Sequence, residues 1–136
     1  MAAKKNTTIQ ATGKRKTSVA RVNLNKGTGV FRINNEDFDS YVGSEMLALK
    51  VKEPLLISEL DGKFDLRVSV FGGGVQSQVE AIRQAIARAL VEVSGEELRK
   101  TFIEYDRSML ITDTRFKEMK KPNNSSARSK RQKSYR

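Results

Sequence analysis

The sequence has no cysteine, no histidine and no tryptophan, and its 2 prolines leave it punctuated only at Pro54 and Pro122. Without cysteine there is no disulfide framework and no thiolate nucleophile. Without histidine there is no imidazole base and no imidazole ligand, which removes zinc fingers, zinc knuckles and the usual catalytic triads. No apolar run approaches the roughly 20 residues needed to span a bilayer, and residues 1–10 lack the apolar centre of a secretory leader. No metal, cofactor, small-molecule substrate or membrane is therefore expected as a partner. At 136 residues the chain has room for one domain with tails.

Positive charge is what the sequence has in excess, with 26 Lys and Arg against 16 Asp and Glu for a net charge of +10. The excess is not spread evenly. Residues 1–21 carry six basic groups, among them Lys4, Lys5, Lys14, Arg15 and Lys16, and no acid. Residues 22–113 are net −4, and residues 114–136 hold nine basic groups against Glu118 alone. This divides the chain into a flexible basic N-terminus at 1–8, a globular domain at 9–113 and an extended basic tail at 114–136. The tail has too few apolar side chains to offset the entropy of ordering, so it is expected to be disordered when free. One-sided charge of this kind suits a polyanion that orders the tail on binding, since added acids would serve solubility better.

Within the domain, residues 17–24 (TSVARVNL) alternate and predict a strand, with turn chemistry at 25–29 and residues 30–33 as its hairpin partner. Asn34-Asn35 precede an acidic helix start at 36–42. A helix over 44–52 is expected to stop at Pro54, with 54–57 a loop or short strand. Phe64–Phe71 alternates without a break and covers a core with one face. After Gly72-Gly73-Gly74 the period changes, and Val75, Val79, Ile82, Ile86, Leu90 and Val93 form one stripe of a five-turn helix, with Glu80, Arg83, Gln84, Ala87 and Arg88 outside it. A short helix follows at 96–102. Irregular alternation of these elements predicts an α+β domain, a small mixed sheet with helices packed on one face.

Candidate chemistry is sparse. GGGVQSQ lacks the Gly-Lys-Ser/Thr of a P-loop and is not GxGxxG. It reads as a tight turn that lets a helix pack closely on the sheet, with amide contacts to an RNA backbone a compatible addition. Glu36-Asp37 and Glu96-Glu97 sit at helix starts, where capping explains them. Ser44, Ser69 and Ser77 have no base to activate them. The sequence does not describe an enzyme. Its informative groups are cationic: Lys14, Arg15 and Lys16 before a strand, Arg83 and Arg88 on the expected outer face of the long helix, and Lys120, Lys121, Arg128, Lys130, Arg131, Lys133 and Arg136 in the tail. Such groups position a protein on phosphates without reading sequence, and Phe116 or Tyr135 could stack on a base.

Three separated segments resemble one family in order along the chain. GGGVQSQVEAIRQAIARAL (72–90) is similar to the central motif of the universal S-nine family of small-subunit ribosomal proteins. ATGKRKTSVARV (11–22) resembles its N-terminal basic strand segment, and ARSKRQKSYR (127–136) its basic terminus. The resemblance, of bacterial or organellar type, implies an α+β domain with a left-handed βαβ crossover that binds ribosomal RNA beside other head proteins, in the cytoplasm or an organelle. It implies a tail threaded through the subunit head to the peptidyl-site transfer RNA. There the family's terminal basic residue matches Arg136, with Ser134 and Tyr135 beside it and Gln132 and Arg128 on the approach. Tyr135 stands where the family usually has Lys, and 122–126 (PNNSS) replaces a more basic stretch. A free RNA-binding or chaperone module outside the ribosome would have the same charge layout.

Overall fold

The computed structural model describes residues 8–130 and 133–135. Its strands are β1 Ile9–Arg15, β2 Ser18–Lys26, β3 Phe31–Ile33, β4 Glu36–Asp37 and β5 Phe64–Phe71, in the order β1-β2-β5-β3-β4. The helices are α1 Phe38–Val42, α2 Glu45–Ile57, α3 Val75–Ser94 and α4 Glu96–Tyr105, followed by a 3-10 turn at Arg107–Met109. All pairings are antiparallel except β3 with β5, so the sheet is mixed. Ala20, Val22, Leu24, Leu66, Val68 and Val70 face the helices and are buried, while Arg21, Arg67, Ser69 and Phe71 alternate with them and are exposed. This is the expected α+β domain with one face covered.

Residues 30–33 do not form a hairpin with β2. β5 inserts between β2 and β3, pairing antiparallel with the first and parallel with the second. The cause is Asp65, whose Oδ1 accepts the amides of Thr28, Gly29 and Val30 at 2.8, 3.0 and 3.0 Å and draws the turn across the end of β5. These amide bonds, led by that of Val30, hold the exposed Asp65 carboxyl below its ordinary range. Asn34 extends the new pairing: its amide donates to the Val70 carbonyl at 3.0 Å and accepts the Val70 amide at 2.9 Å. Asn34 and Asn35 both hold positive φ, 50° and 69°, forming the two-residue turn from β3 to β4 rather than leading into a helix.

Pro54 does not end α2, which continues to Ile57. Only the last turn loses a hydrogen bond there, and the fully buried proline ring adds apolar contact in compensation. The long helix is also more deeply set than one stripe requires. Val79, Ile82, Ile86 and Leu90 are buried as expected, and so are Ala81, Ala85, Ala87, Ala89, Arg83 and Gln84 on other faces. Helix α3 therefore runs through the middle of the domain, with β1 and β2 on one side and α2 and α4 on others. Alanines let these neighbours come close on every side.

The tightest approach is at Gly13 in β1. A Cβ there would lie 2.1 Å from the Ala81 carbonyl oxygen and 2.7 Å from the Ala85 amide nitrogen, both backbone atoms that cannot turn aside. Gly13→Ala is expected to destabilise the domain by roughly 2–3 kcal/mol, lowering Tm on the order of 10 °C. Thermal melting followed by circular dichroism checks this, and an unchanged Tm would contradict the packing.

Candidate nucleic-acid interface

The β1–β2 hairpin turns through Lys16 and Thr17, between Arg15 and its partner Ser18. Lys16 holds φ 53°, a left-handed conformation that costs a residue with a Cβ roughly 1–2 kcal/mol and lifts this side chain into solvent. The glycine-rich turn docks against this hairpin. Gly72 and Gly73 have φ of 77° and 66°, and a Cβ at Gly73 would lie 2.2 Å from the Ser18 hydroxyl oxygen. Ser18 donates to the Gly72 carbonyl at 2.8 Å, and Ser77 shares a 2.8 Å bond with Ser18 while accepting the Gly74 amide. Gly72 and Gly73 serve the close approach of this turn to the hairpin, whereas a Cβ at Gly74 would meet open space.

Beneath the hairpin lies a chain of ion pairs lining a cavity of about 630 Å³. Arg15, its side chain 19% exposed, bridges Glu80 at 2.6 Å and Asp113 at 2.9 Å. Lys50 takes the other Glu80 oxygen at 3.0 Å, and Asp113 also pairs with Arg115 at 2.7 Å. Arg83 joins Glu53 at 2.6 Å and Asp106 at 2.7 Å. Burial alone would raise the Glu80 carboxyl, but the Arg15 and Lys50 hydrogen bonds and charges outweigh it and leave it lowered. Asp106 is lowered in the same way, Arg83 and Ser108 overcoming its desolvation. Arg115, through its side chain and its amide, holds Asp113 well below the usual carboxylate range.

Neither helix arginine lies on an outer face, because α3 has elements packed around it. Arg83 is buried within its two acidic partners. Arg88 donates to the Leu110 carbonyl at 2.8 and 3.0 Å, to Thr112 Oγ1 at 2.9 Å and to the Thr12 carbonyl at 2.7 Å. Together with Gln84, which accepts the Lys14 amide at 2.9 Å, it satisfies the free edge of β1 and ties residues 110–112 to it. Arg15, Arg83 and Arg88 are thus spent on internal partners. The acids that hold Arg15 and Arg83, namely Glu53, Glu80, Asp106 and Asp113, are not evident from the sequence, where only the acid surplus of 22–113 hints at them.

The remaining cations point outward. Lys14 is exposed at the sheet edge with its Nζ 5.9 Å from the centroid of the Phe116 ring, which places the start of the tail beside the hairpin. From residue 114 onward the described residues form no helix or strand and are largely exposed. Arg128 pairs with Glu118 at 2.8 Å. Lys16, Lys120, Lys121, Lys130 and Lys133 have no acidic partner among the described residues. Ser134 is exposed and Tyr135 is 88% exposed. Arg131 and Arg136, like Lys4 and Lys5, lie outside the described residues.

An α+β domain whose open cavity is lined by its own ion pairs, with exposed cations on a hairpin and a tail, defines the class, a small basic α+β protein. Comparison with known proteins makes this specific. Residues 13–136 match the family described as Ribosomal protein S9/S16. The chain is 47% identical over 127 residues to small ribosomal subunit protein uS9 of Halobacterium salinarum, covering 91% of this chain and 96% of that protein. It is 47% identical over 130 residues to uS9 of Desulfurococcus amylolyticus, covering 94% and 92%. The chain belongs to the ribosomal protein S9 family. It is a non-enzymatic constituent of the small ribosomal subunit in the cytoplasm, partnered by ribosomal RNA and subunit proteins. Both relatives are archaeal, where the sequence predicts a bacterial or organellar type.

The ion pairs set a pH dependence. Glu80, Asp106 and Asp113 are all depressed, so their stabilisation is full above the unfolded carboxylate pKa of about 4 and is lost as pH falls through the lower folded values. Tm is expected to hold from neutrality to about pH 5 and to drop below about pH 4. Glu80→Gln should melt lower at pH 7 and decline less steeply toward about pH 3. Melts across that range check it, and parallel curves for the two proteins would contradict the assignment.

Proposed function

We propose that this protein fastens ribosomal RNA in the head of the small subunit through two sets of basic residues, one on the hairpin and one in the tail. Lys14 and Lys16 dock the domain by the hairpin. Lys120, Lys121, Arg128, Lys130, Arg131 and Lys133 then neutralise phosphates where RNA segments crowd together, the tail taking up its path there. The observation that carries this reading is the division of labour among cations: Arg15 and Arg83 are held by acids and Arg88 by carbonyls and a hydroxyl, whereas Lys14, Lys16 and most tail cations have no acidic partner among the described residues. Fully extended, the 23 residues from 114 onward reach on the order of 75 Å, well beyond the radius of the domain. Arg136, with Tyr135 and Ser134 beside it, donates to a phosphate of the peptidyl-site transfer RNA. A single terminal guanidinium suits that task because it is always charged and offers paired donors.

Two outcomes are expected. Deleting residues 114–136 should reduce the slope of log affinity against log salt for small-subunit ribosomal RNA by several units, about one for each phosphate no longer neutralised. Filter binding between roughly 50 and 200 mM salt reads this directly, and a retained full slope would exclude the tail. Ribosomes lacking only Arg136 should hold less transfer RNA in the peptidyl site. Equal occupancy would remove the role given to that residue.

A further inference from the structure

The sheet's uncovered face carries a third set of cations that neither the hairpin nor the tail uses. We propose that this face is a separate RNA-backbone surface centred on Arg21, Arg32 and Arg67. The proposal rests on the RNA-binding reading above and adds to it a site on the opposite side of the domain from α3.

A bare sheet face is ordinary in itself, since antiparallel sheets commonly leave one side to water. Its side chains are what point to a ligand. Arg67 in β5 stands directly beside Arg32 in β3, and its other neighbour is Asn23 in β2, two residues from Arg21 on the same face. Three guanidinium groups therefore form a diagonal band across three adjacent strands. Like charges opposite one another on a sheet repel, so this arrangement costs stability unless a counter-charge comes from outside. The domain itself provides little. Arg21 and Arg67 have no acidic partner among the described residues, and Arg32 reaches only Asp37 at 3.7 Å, with that carboxylate 84% exposed. Asp65, the acid nearest Arg67 along β5, senses its charge but forms no ion pair with it, and its Oδ1 accepts three backbone amides.

The groups between the arginines fit the same partner. Arg21 lies between Ser69 of β5 and Thr12 of β1, whose hydroxyls offer neutral hydrogen bonds to phosphate and ribose oxygens. Phe71, 56% exposed at the end of β5, presents a ring on which a base can stack. A protein partner would instead call for an apolar centre with charges at its rim, whereas here arginines occupy the centre.

The test uses the full-length protein and an archaeal small-subunit ribosomal RNA transcript. Arg21, Arg32 and Arg67 are replaced together by Gln. A control carries the same loss of charge on the helical side, with Arg99, Lys100 and Arg107 replaced by Gln. All three control residues are exposed. Wild-type Tm in both variants, measured first, secures the fold. The sheet-face variant is expected to lose about two to three units of salt slope and the control less than about one. Equal losses would mean that only net charge matters and would overturn the proposal. An unchanged slope in the sheet-face variant would also overturn it, while leaving the tail reading, which the tail deletion tests separately, intact. Reduced binding to purified subunit proteins with an unchanged RNA slope would assign the face to a protein and overturn it too.

Discussion

Helix α3 lies so close to the β1–β2 hairpin that, at Gly13, no side chain fits between helix backbone and strand. That distance constrains everything around it. It requires glycine in the strand, small residues at Ala81 and Ala85 in the helix, and left-handed glycines at 72 and 73 where the turn passes over Ser18. With the middle of the helix this deep in the domain, the polar side chains from Glu80 to Arg88 find partners in neighbouring elements, while Gln76 and Glu92 near its ends remain exposed. Arg83 finds α2 and the end of α4, Arg88 and Gln84 find the β1 edge, and Glu80 finds Arg15 and Lys50. The buried polar groups of α3 therefore hold the hairpin, α2 and the C-terminal segment at fixed positions about one axis. Removing one partner would leave a poorly solvated charge, which is more damaging than the net worth of the pair.

This arrangement separates two populations of positive charge. Arg15, Lys50 and Arg83, close to α3, are neutralised by acids of residues 22–113, and Arg88 is held by carbonyls and a hydroxyl. Lys16, Lys120, Lys121, Lys130 and Lys133, away from α3, have no acidic partner among the described residues. A domain with +10 overall would suffer self-repulsion if the charge were uniform, but pairing in the interior and extension of the tail keep like charges apart. The surplus thus collects in the two ends of the chain, at residues 1–21 and 114–136. Arg88 connects the two populations, since its bonds to Leu110 and Thr112 set the point at which the chain leaves the domain, and Arg15 repeats the attachment through Asp113.

What is legible in the sequence follows from periodicity and local charge. Phe64–Phe71 has unbroken alternation and is the central strand, the stripe from Val75 to Val93 lies on one helix, and the basic run after 114 stands outside any core. Pairing is less visible because it is decided at long range. Nothing near Val30 announces that Asp65 will gather its turn, so local turn chemistry at 25–33 suggests a hairpin and hides the strand inserted between the two arms. Strand β1 shows in the sequence only as a basic approach to β2, since Thr12-Gly13-Lys14 offers little apolar alternation. The arginines of α3 mislead for a related reason. On an amphipathic helix a residue off the apolar stripe faces water, but here alanines on the other faces are also buried, and alanine is too common on exposed helices to signal it.

Pre-anchoring bears on how a tail of this kind can act at all. A segment that orders on binding gives up conformational entropy at that moment, at a cost of about 1–2 kcal/mol for each residue fixed. Phosphate contacts must exceed that sum, and each contact is worth less if the tail must first find its direction. In this protein the first residues beyond the domain are already placed, by Arg88 on Leu110 and Thr112, by Arg15 on Asp113 and by Lys14 over Phe116. The entropy of residues 110–116 is thereby charged to folding rather than to assembly, and the cations that follow start from a fixed point beside Lys14 and Lys16. In the proposed RNA-bound state hairpin and tail form one connected surface, in which docking the first raises the local concentration of the second.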